Sequence, residues 1–316
     1  MDLASQAKYL MPMETPVPPL VKNEDSLRGF GFALSAYLLW GFLPIYMKTV
    51  AHISPAEVIS HRILWSMPIA GAILMYLGTT RELMTALRSP RMLAMASMTA
   101  GLISINWGIY VWAIGSGHAL DAALGYYINP LFSVFLGATF LREKLARAQI
   151  IAIAIAVIAV IVMTVASGKL PVVALGLTVT WGFYAYLKKS LPLAANEGFM
   201  LEIILLLPFA LLYILYLSLS GQGHFLTGIG WDTTLLMSAG LVTAIPLMLY
   251  ANGAKLLKLS TIGIMQYIAP TMIFLTAVFV FDEPISLVKL LAFAMIWFAL
   301  AIYTSSLIHQ ARSAGK

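Results

Sequence analysis

Ten long apolar stretches, separated by short polar segments, occupy almost the whole chain after residue 27. Apolar runs of about 20 residues in a bilayer must satisfy every backbone group internally, so they predict helices. The predicted spans are 28–50, 55–77, 92–114, 118–140, 148–168, 171–189, 198–219, 233–255, 260–281 and 286–308. We therefore expect an all-α polytopic membrane protein with ten transmembrane helices.

The ten spans divide into two sets of five that correspond at an offset near 140 residues. The matched residues are Trp40-Gly41-Phe42 with Trp181-Gly182-Phe183, Pro68 with Pro208, Tyr110 with Tyr250, Tyr127 with Tyr267, Pro130 with Pro270, and Glu143 with Glu283. Because five is odd, the second set must enter the membrane from the opposite side, which gives the inverted repeat typical of secondary transporters. The expected organisation is a flexible cytoplasmic tail (1–27), a first repeat (28–168), a second repeat (169–309) and a cytoplasmic tail (310–316).

Composition and charge agree with a membrane protein. The 316 residues are 61% hydrophobic and only 10% charged, whereas soluble domains are about 25% charged. The net charge of +6 could suggest a nucleic-acid partner, but fifteen of the 19 Lys and Arg residues lie at the termini and in the even-numbered loops. Positive charge marks the cytoplasmic side, so we expect both termini in the cytoplasm, the lipid bilayer as a partner and no nucleic acid.

The chain lacks the sequence motifs of several enzyme classes. It contains no cysteine, no GxxxxGK[ST] phosphate loop, no HExxH zinc motif and no acidic DDxxD-type cluster. ATP hydrolysis, zinc catalysis and prenyl transfer therefore lack their usual residues, and no cofactor or metal is expected.

Polar and aromatic side chains inside the spans are the candidates for lining a substrate cavity. They are Trp40, Asn106, Tyr110, Tyr126, Asn129, Trp181, Tyr250, Gln266 and Tyr267. Asn129 lies on one helical face with His118, Asp121 and Gly125. Such faces avoid lipid and line a wet cavity, or they bind neighbouring helices through hydrogen bonds, and both interpretations stay open.

Four residues are candidates for flexible points during transport. Pro130 and Pro270 each remove a helical hydrogen bond within a span, at corresponding places of the two sets. Gly41 and Gly182 belong to the matched Trp-Gly-Phe segments. The alternative for the prolines is a static kink, and the correspondence of the two sites favours a hinge or a substrate contact.

Ionisable residues in the second and fourth spans suggest proton coupling. Glu57 and His61 are four residues apart on one helical face, and Asp121 lies in span four. They could move a proton during exchange or form a structural pair. Arg62 would cost about 2.5–3.5 kcal/mol at a helix centre, but it lies near the outer end and is expected to snorkel partly.

Three segments resemble a known transporter family. AYLLWGFLPIYMK (36–48), ISHRILWS (59–66) and NWGIYVWAI (106–114), with the Asn-Pro and Ala-Pro breaks in spans four and nine, are similar to the RarD subgroup of the EamA family, within the drug/metabolite transporter superfamily. The resemblance implies a multi-pass protein of the bacterial inner membrane. It also implies a central cavity lined by spans one, three, four, six, eight and nine, with spans five and ten at the periphery. Some members are labelled chloramphenicol-sensitive permeases.

The favoured function is a permease, acting as an exporter, that moves a small organic metabolite or drug by alternating access. One alternative is a membrane-embedded enzyme, with a buried acid–base site on Glu57, His61 and Asp121. Another is a channel or a non-transporting partner subunit. The enzyme would require spans two and four to bring those three side chains together.

Overall fold

The computed structural model describes residues 26–140, 145–227, 230–254, 256–257 and 265–314. Its helices, numbered in chain order, are α1 Leu27–Thr49, α2 Pro55–Leu77, α3 Thr80–Leu87, α4 Pro90–Gly115, α5 Ala119–Phe140, α6 Arg147–Ser167, α7 Val172–Ser190, α8 Ala195–Ser220, α9 Asp232–Ala254, α10 Ile268–Phe279 and α11 Leu287–Ala314. No strand occurs in these ranges, so the predicted all-α class is confirmed for the described part of the chain.

Eight of the described helices are long and apolar enough to cross a membrane: α1, α2, α4, α5, α6, α8, α9 and α11. Helices α7 and α10 are apolar but shorter. They occupy the predicted places of spans six and nine, so the count of ten spans stays a prediction. Helix α11 continues to Ala314, into the segment expected to be a tail.

Local sequence signals set the helix ends. Helices α2 and α4 both begin with a Ser-Pro pair, in which the serine side chain accepts a backbone N–H and proline occupies the first helical position. Ser54 accepts from the Glu57 N–H at 3.2 Å. Proline is suited to this position because its missing N–H would have no helical partner there. Gly78 then ends α2 in the left-handed conformation.

Helix packing crosses between the two predicted repeats. Helix α1 packs on α9 and α10, while α7 packs on α4 and α5. Helix α2 packs on α8 and α9, and α6 packs on α11. The aliphatic helix α6 exposes a band of large side chains that includes Ile151, Ile158 and Val165, as expected for a lipid-facing position.

Four connections meet at one end of the bundle. They are 50–54, 116–118, the described part of 221–231, and 280–286, and we call this region the His52 end. His52 Nε2 lies 2.9 Å from Asp232 Oδ1, and the Ala119 N–H donates to Glu283 at 2.8 Å. The N-terminus of α1 and helix α3 lie at the other end, which we call the α3 end.

Candidate functional site

A cavity of about 160 Å³ lies at the centre of the bundle. Helices α1, α2, α4, α5, α7, α9 and α10 contribute to its wall, whereas α6, α8 and α11 do not. Helices from both predicted repeats therefore share one central space. The expected peripheral position of spans five and ten agrees with this wall, but the contribution of α2 was not expected.

Eight of the nine cavity candidates line this space: Trp40, Asn106, Tyr110, Tyr126, Asn129, Trp181, Tyr250 and Gln266. Tyr267 does not. Its ring stacks against Tyr127, with ring centroids 6.5 Å apart. Tyr267 precedes α10, where consecutive side chains point in different directions, so its neighbour Gln266 faces the cavity instead. Substrate contact by any of these residues remains a prediction.

Aromatic rings form much of the wall. Tyr37, Trp40 and Tyr250 pack together, with centroid separations of 5.5 to 5.9 Å. Trp181 packs on Tyr184 at 5.6 Å. Tyr184 also lines the cavity, as does Tyr37, which sequence reasoning missed. Such a wall can hold an apolar or planar group by stacking and by exclusion of water.

A few buried polar atoms in the wall have no hydrogen-bond partner among the described residues. The Asn106 amide nitrogen donates to the Leu177 carbonyl at 3.1 Å and to Thr180 Oγ1 at 2.9 Å. These bonds fix the side chain and leave Asn106 Oδ1 as a buried acceptor without a described partner. The Tyr110 hydroxyl and Asn129 Oδ1 are also buried and unpartnered among the described residues. Unpaired buried polar groups are costly, so they indicate a place for water or a ligand.

Arg62 is a member of the cavity wall, and the expectation that it snorkels is wrong. The side chain is 4% exposed, and its guanidinium carbon lies 4.5 Å from the centre of the Trp107 ring. Arg62 Nε donates to Thr243 Oγ1 at 2.9 Å. Position along α2 suggested an outward path, but the helix turns this residue toward α4 and α9, where an aromatic face and a hydroxyl hold it inside.

Glu57 and His61 lie in α2 but have separate partners. Glu57 is buried, accepts the His224 backbone N–H at 2.7 Å, and contacts His224 Nδ1 at 2.9 Å. His61 accepts from the Trp65 indole at 3.2 Å and lies against the Phe225 ring. No hydrogen bond is found between Glu57 and His61, so the structural pair suggested for them does not form in the described structure.

Asp121 belongs to a third environment. Its carboxylate pairs with Lys289 of α11 at 2.9 Å. Among the hydrogen bonds and ion pairs of the described residues, none joins Asp121 to Glu57 or His61. Of the polar face predicted on span four, Asn129 alone lines the cavity. His118 stacks on Trp112, and Gly125 packs on Ala174.

The proposed flexible points have distinct surroundings. Pro130 is buried inside the continuous helix α5, whereas Pro270 lies in the first turn of α10 and lines the cavity. A proline in a first turn loses little hydrogen bonding. A Cβ on Gly41 would lie 2.7 Å from the Met272 Cβ, and one on Gly182 would lie 2.6 Å from Phe132 Cε1. Both glycines thus allow close helix packing, and their hinge role stays a prediction.

Contacts at the His52 end join residues before 168 to residues after 168. His52 contacts Asp232, Glu57 contacts His224, and Asp121 contacts Lys289. The Glu283 carboxylate accepts the Ala119 and Leu120 N–H groups at the start of α5, at 2.8 and 2.9 Å. A carboxylate at a helix N-terminus is favoured by the orphan N–H donors and the helix dipole. Its predicted counterpart, Glu143, lies outside the described residues.

Comparisons with known proteins agree with the resemblance in the sequence. Residues 27–165 match the family described as "EamA-like transporter family". An uncharacterized transporter of Vibrio cholerae is 40% identical over 283 residues, which is 89% of this chain and 93% of that protein. Protein RarD of Salmonella typhi is 37% identical over 289 residues, covering 92% and 98% of the two chains.

A solved crystal structure shares the fold. It superposes with a TM-score of 0.58 at 19% sequence identity, covering 90% of this chain and 98% of that chain. The similarity to full-length relatives extends over both halves, beyond the segment matched by the family description. The chain therefore belongs to the EamA-like transporter family and, within it, to the RarD-related membrane transporters.

Proposed function

We propose that this protein is a secondary transporter that exports a small organic solute by alternating access. The observation that carries the proposal is a central cavity with walls from both halves, together with contacts that join those halves at one end. Transporters built from inverted repeats bind substrate at such a boundary near the bilayer midplane. The substrate contacts would be the eight lining candidates, with Tyr37 and Tyr184 completing the aromatic wall.

The helix contacts support an inverted five-plus-five repeat. Each span has a counterpart five spans away in the other half. If every span is replaced by its counterpart, the α1–α9 contact becomes the α7–α4 contact. The same exchange converts α1–α10 into α7–α5, and α2–α9 into α8–α4. Gly41 against Met272 and Gly182 against Phe132 form a matched pair, with offsets of 141 residues for the glycines and 140 for their partners. Such matched packing would allow the halves to rock into the opposite arrangement.

In this proposal the His52 end faces the outside of the cell and is the closed end of the pathway. Export would open it by breaking the His52–Asp232 and Glu57–His224 contacts after solute enters from the α3 end. The enzyme alternative is less well supported, since Asp121 and Glu57 bind different partners at this end. The channel alternative would require a continuous path for solute across the membrane, without contacts at the His52 end that must break in each transport cycle.

Cross-linking of the His52 end tests the proposal. The variant His52→Cys/Asp232→Cys, joined by a short cleavable bis-thiosulfonate, should lose saturable solute flux in proteoliposomes and regain it after reduction. The flux panel would contain labelled organic acids, amino acids, small metabolites and chloramphenicol. Native cysteines are absent, so the reagent has no other thiol in the chain.

Ala51→Cys/Gly115→Cys provides the matched control at the same end. A Cβ on Gly115 would lie 3.6 Å from the Ala51 Cβ, and both residues belong to the first half. This cross-link should leave flux unchanged because it does not join the halves. Unchanged flux with the His52–Asp232 pair fully cross-linked would contradict alternating access through this end.

A further inference from the structure

Arg62 is the only charged residue in the described wall of the cavity, and its charge has no acidic partner there. The ion pairs of the described residues join His52 to Asp232, Lys188 to Glu202, His224 to Glu57 and Lys289 to Asp121. Glu202, which lies 140 residues after Arg62 and so corresponds to it in the second half, is therefore engaged by Lys188. A buried cation without a counter-ion is expensive, so an anion beside Arg62 would be stabilising.

The guanidinium is held in a fixed orientation. One face lies over the Trp107 indole, and Nε is bound to Thr243 of α9. Nη1 is buried and has no hydrogen-bond partner among the described residues. An arginine whose stem and Nε are fixed presents its terminal nitrogens to a planar, two-oxygen acceptor such as a carboxylate.

The rest of the wall limits the kind of anion. A phosphate monoester carries close to two negative charges, whereas the cavity offers one cation. The remaining surface is mostly aromatic and aliphatic, with the Tyr110 hydroxyl and the Asn106 and Asn129 amides as additional polar groups. A single carboxylate attached to an apolar body matches one positive charge and an aromatic wall.

Resting on the proposed transport function, we infer that the solute is an amphipathic organic monocarboxylate, whose carboxylate binds Arg62 between α2 and α9. Thr243 acts as a positioning residue that holds the guanidinium. Because Arg62 belongs to the first half and Thr243 to the second, the anion binds where the two halves meet. Binding of the anion would therefore change the contacts between the two halves, which must rearrange during transport.

Binding in lipid nanodiscs tests this inference separately from transport. The first probes are carboxylic acids with aromatic or aliphatic bodies, each paired with its neutral amide. The zwitterionic amino acids and the phosphate esters with the same bodies complete the set. Calorimetry or intrinsic tryptophan fluorescence should show saturable binding of monocarboxylates, and amides and phosphate esters should bind much more weakly. Comparison of the acids with the amino acids shows whether the bound carboxylate belongs to a simple acid or to a zwitterion.

Substitutions then assign the effect to Arg62. Arg62→Gln should weaken carboxylate binding roughly 30-fold or more and remove the preference for acid over amide. Arg62→Lys should retain the preference with lower affinity, because the charge remains but the planar fork is lost. Thr243→Val should lower affinity while leaving the preference intact. The exposed Arg88→Gln is the control for loss of a positive charge.

A variant that keeps Arg62 guards against misfolding. Asn129→Asp places a carboxylate in the same cavity and should abolish the preference for anions. Equal binding of acids and amides by the folded native protein, no saturable binding of any acid, or unchanged preference in Arg62→Gln would overturn the inference. Carboxylate binding without flux would instead retain the anion site and contradict the proposed transport.

Discussion

At the residue scale, burial distinguishes residues that are alike in the sequence. Arg62 and Lys289 are both cations flanked by apolar segments, yet Lys289 pairs with Asp121, whereas Arg62 stacks on Trp107 and faces the cavity. Two of the α1 glycines, Gly31 and Gly41, differ in the same way. A Cβ on Gly31 would meet nothing within 4 Å, while one on Gly41 would overlap Met272 of α10.

This difference predicts opposite effects of the same substitution in one helix. Gly41→Ala should lower the free energy of unfolding by about 1–3 kcal/mol, because the added methyl forces α1 and α10 apart. Gly31→Ala should be neutral, or stabilising by up to about 1 kcal/mol, because alanine favours the helix. Thermal unfolding of the detergent-solubilised variants measures both. Equal midpoints would show that α1 and α10 do not pack as closely as described.

Much of the cavity could be predicted from residue type, because tryptophan, tyrosine and asparagine within apolar spans avoid lipid. Eight of the nine candidates indeed lie on the wall. The orientation of Arg62 could not be predicted in this way, because distance from a helix end does not reveal which side of the helix faces the interior. The partners of Glu57 and Asp121 were missed for another reason. They lie 167 and 168 residues away in sequence, at His224 and Lys289.

At the element scale, apolar length predicts most helix positions to within a few residues. The predicted span 55–77 coincides with α2, and 28–50 differs from α1 by one residue at each end. Helix α3 was not predicted because its eight residues cannot form an apolar run of membrane length. It is nevertheless anchored by the buried side chains of Leu83 and Ala86 and packs on α8. A search for long apolar segments does not detect such a short connecting helix.

The start of α5 depends on a residue from the other half. Glu283→Gln should lower the free energy of unfolding by about 1–3 kcal/mol, because the two bound N–H groups lose a charged acceptor in a buried site. Glu82→Gln is the matched control, since Glu82 also lies in a first helical turn but is exposed. It should change stability by about 0.3–1 kcal/mol or less.

Chemical unfolding followed by circular dichroism measures both variants. The assigned role of Glu283 is contradicted if Glu283→Gln lowers the free energy of unfolding no more than Glu82→Gln does. A retained stability would mean that the start of α5 is capped by other groups, and that Glu283 does not hold the two halves together at the His52 end.

At the scale of the whole molecule, the membrane-spanning bundle holds a central cavity, and contacts at the His52 end join its two halves. Family membership and the helical architecture agree with a transporter. The orientation expected from the Lys and Arg distribution places the α3 end in the cytoplasm and the His52 end outside. The cavity would then be reached from the cytoplasm before export.

Cysteine labelling at two surface positions tests this orientation. Arg88 is exposed at the α3 end, and Thr227 is exposed at the His52 end. In a chain without native cysteine, a membrane-impermeant maleimide should label Arg88→Cys from the cytoplasmic side only, and Thr227→Cys from the outside only. These two variants also calibrate the sidedness of the vesicles for labelling inside the cavity.

The most direct test of alternating access is two-sided labelling of Gln266→Cys, a half-buried residue of the cavity wall. We predict that the impermeant maleimide reaches this thiol from both sides of the membrane, and that cross-linking His52→Cys to Asp232→Cys beforehand abolishes labelling from the outside alone. Labelling from the cytoplasmic side only, in protein that transports solute and whose His52 end is free, would contradict the account.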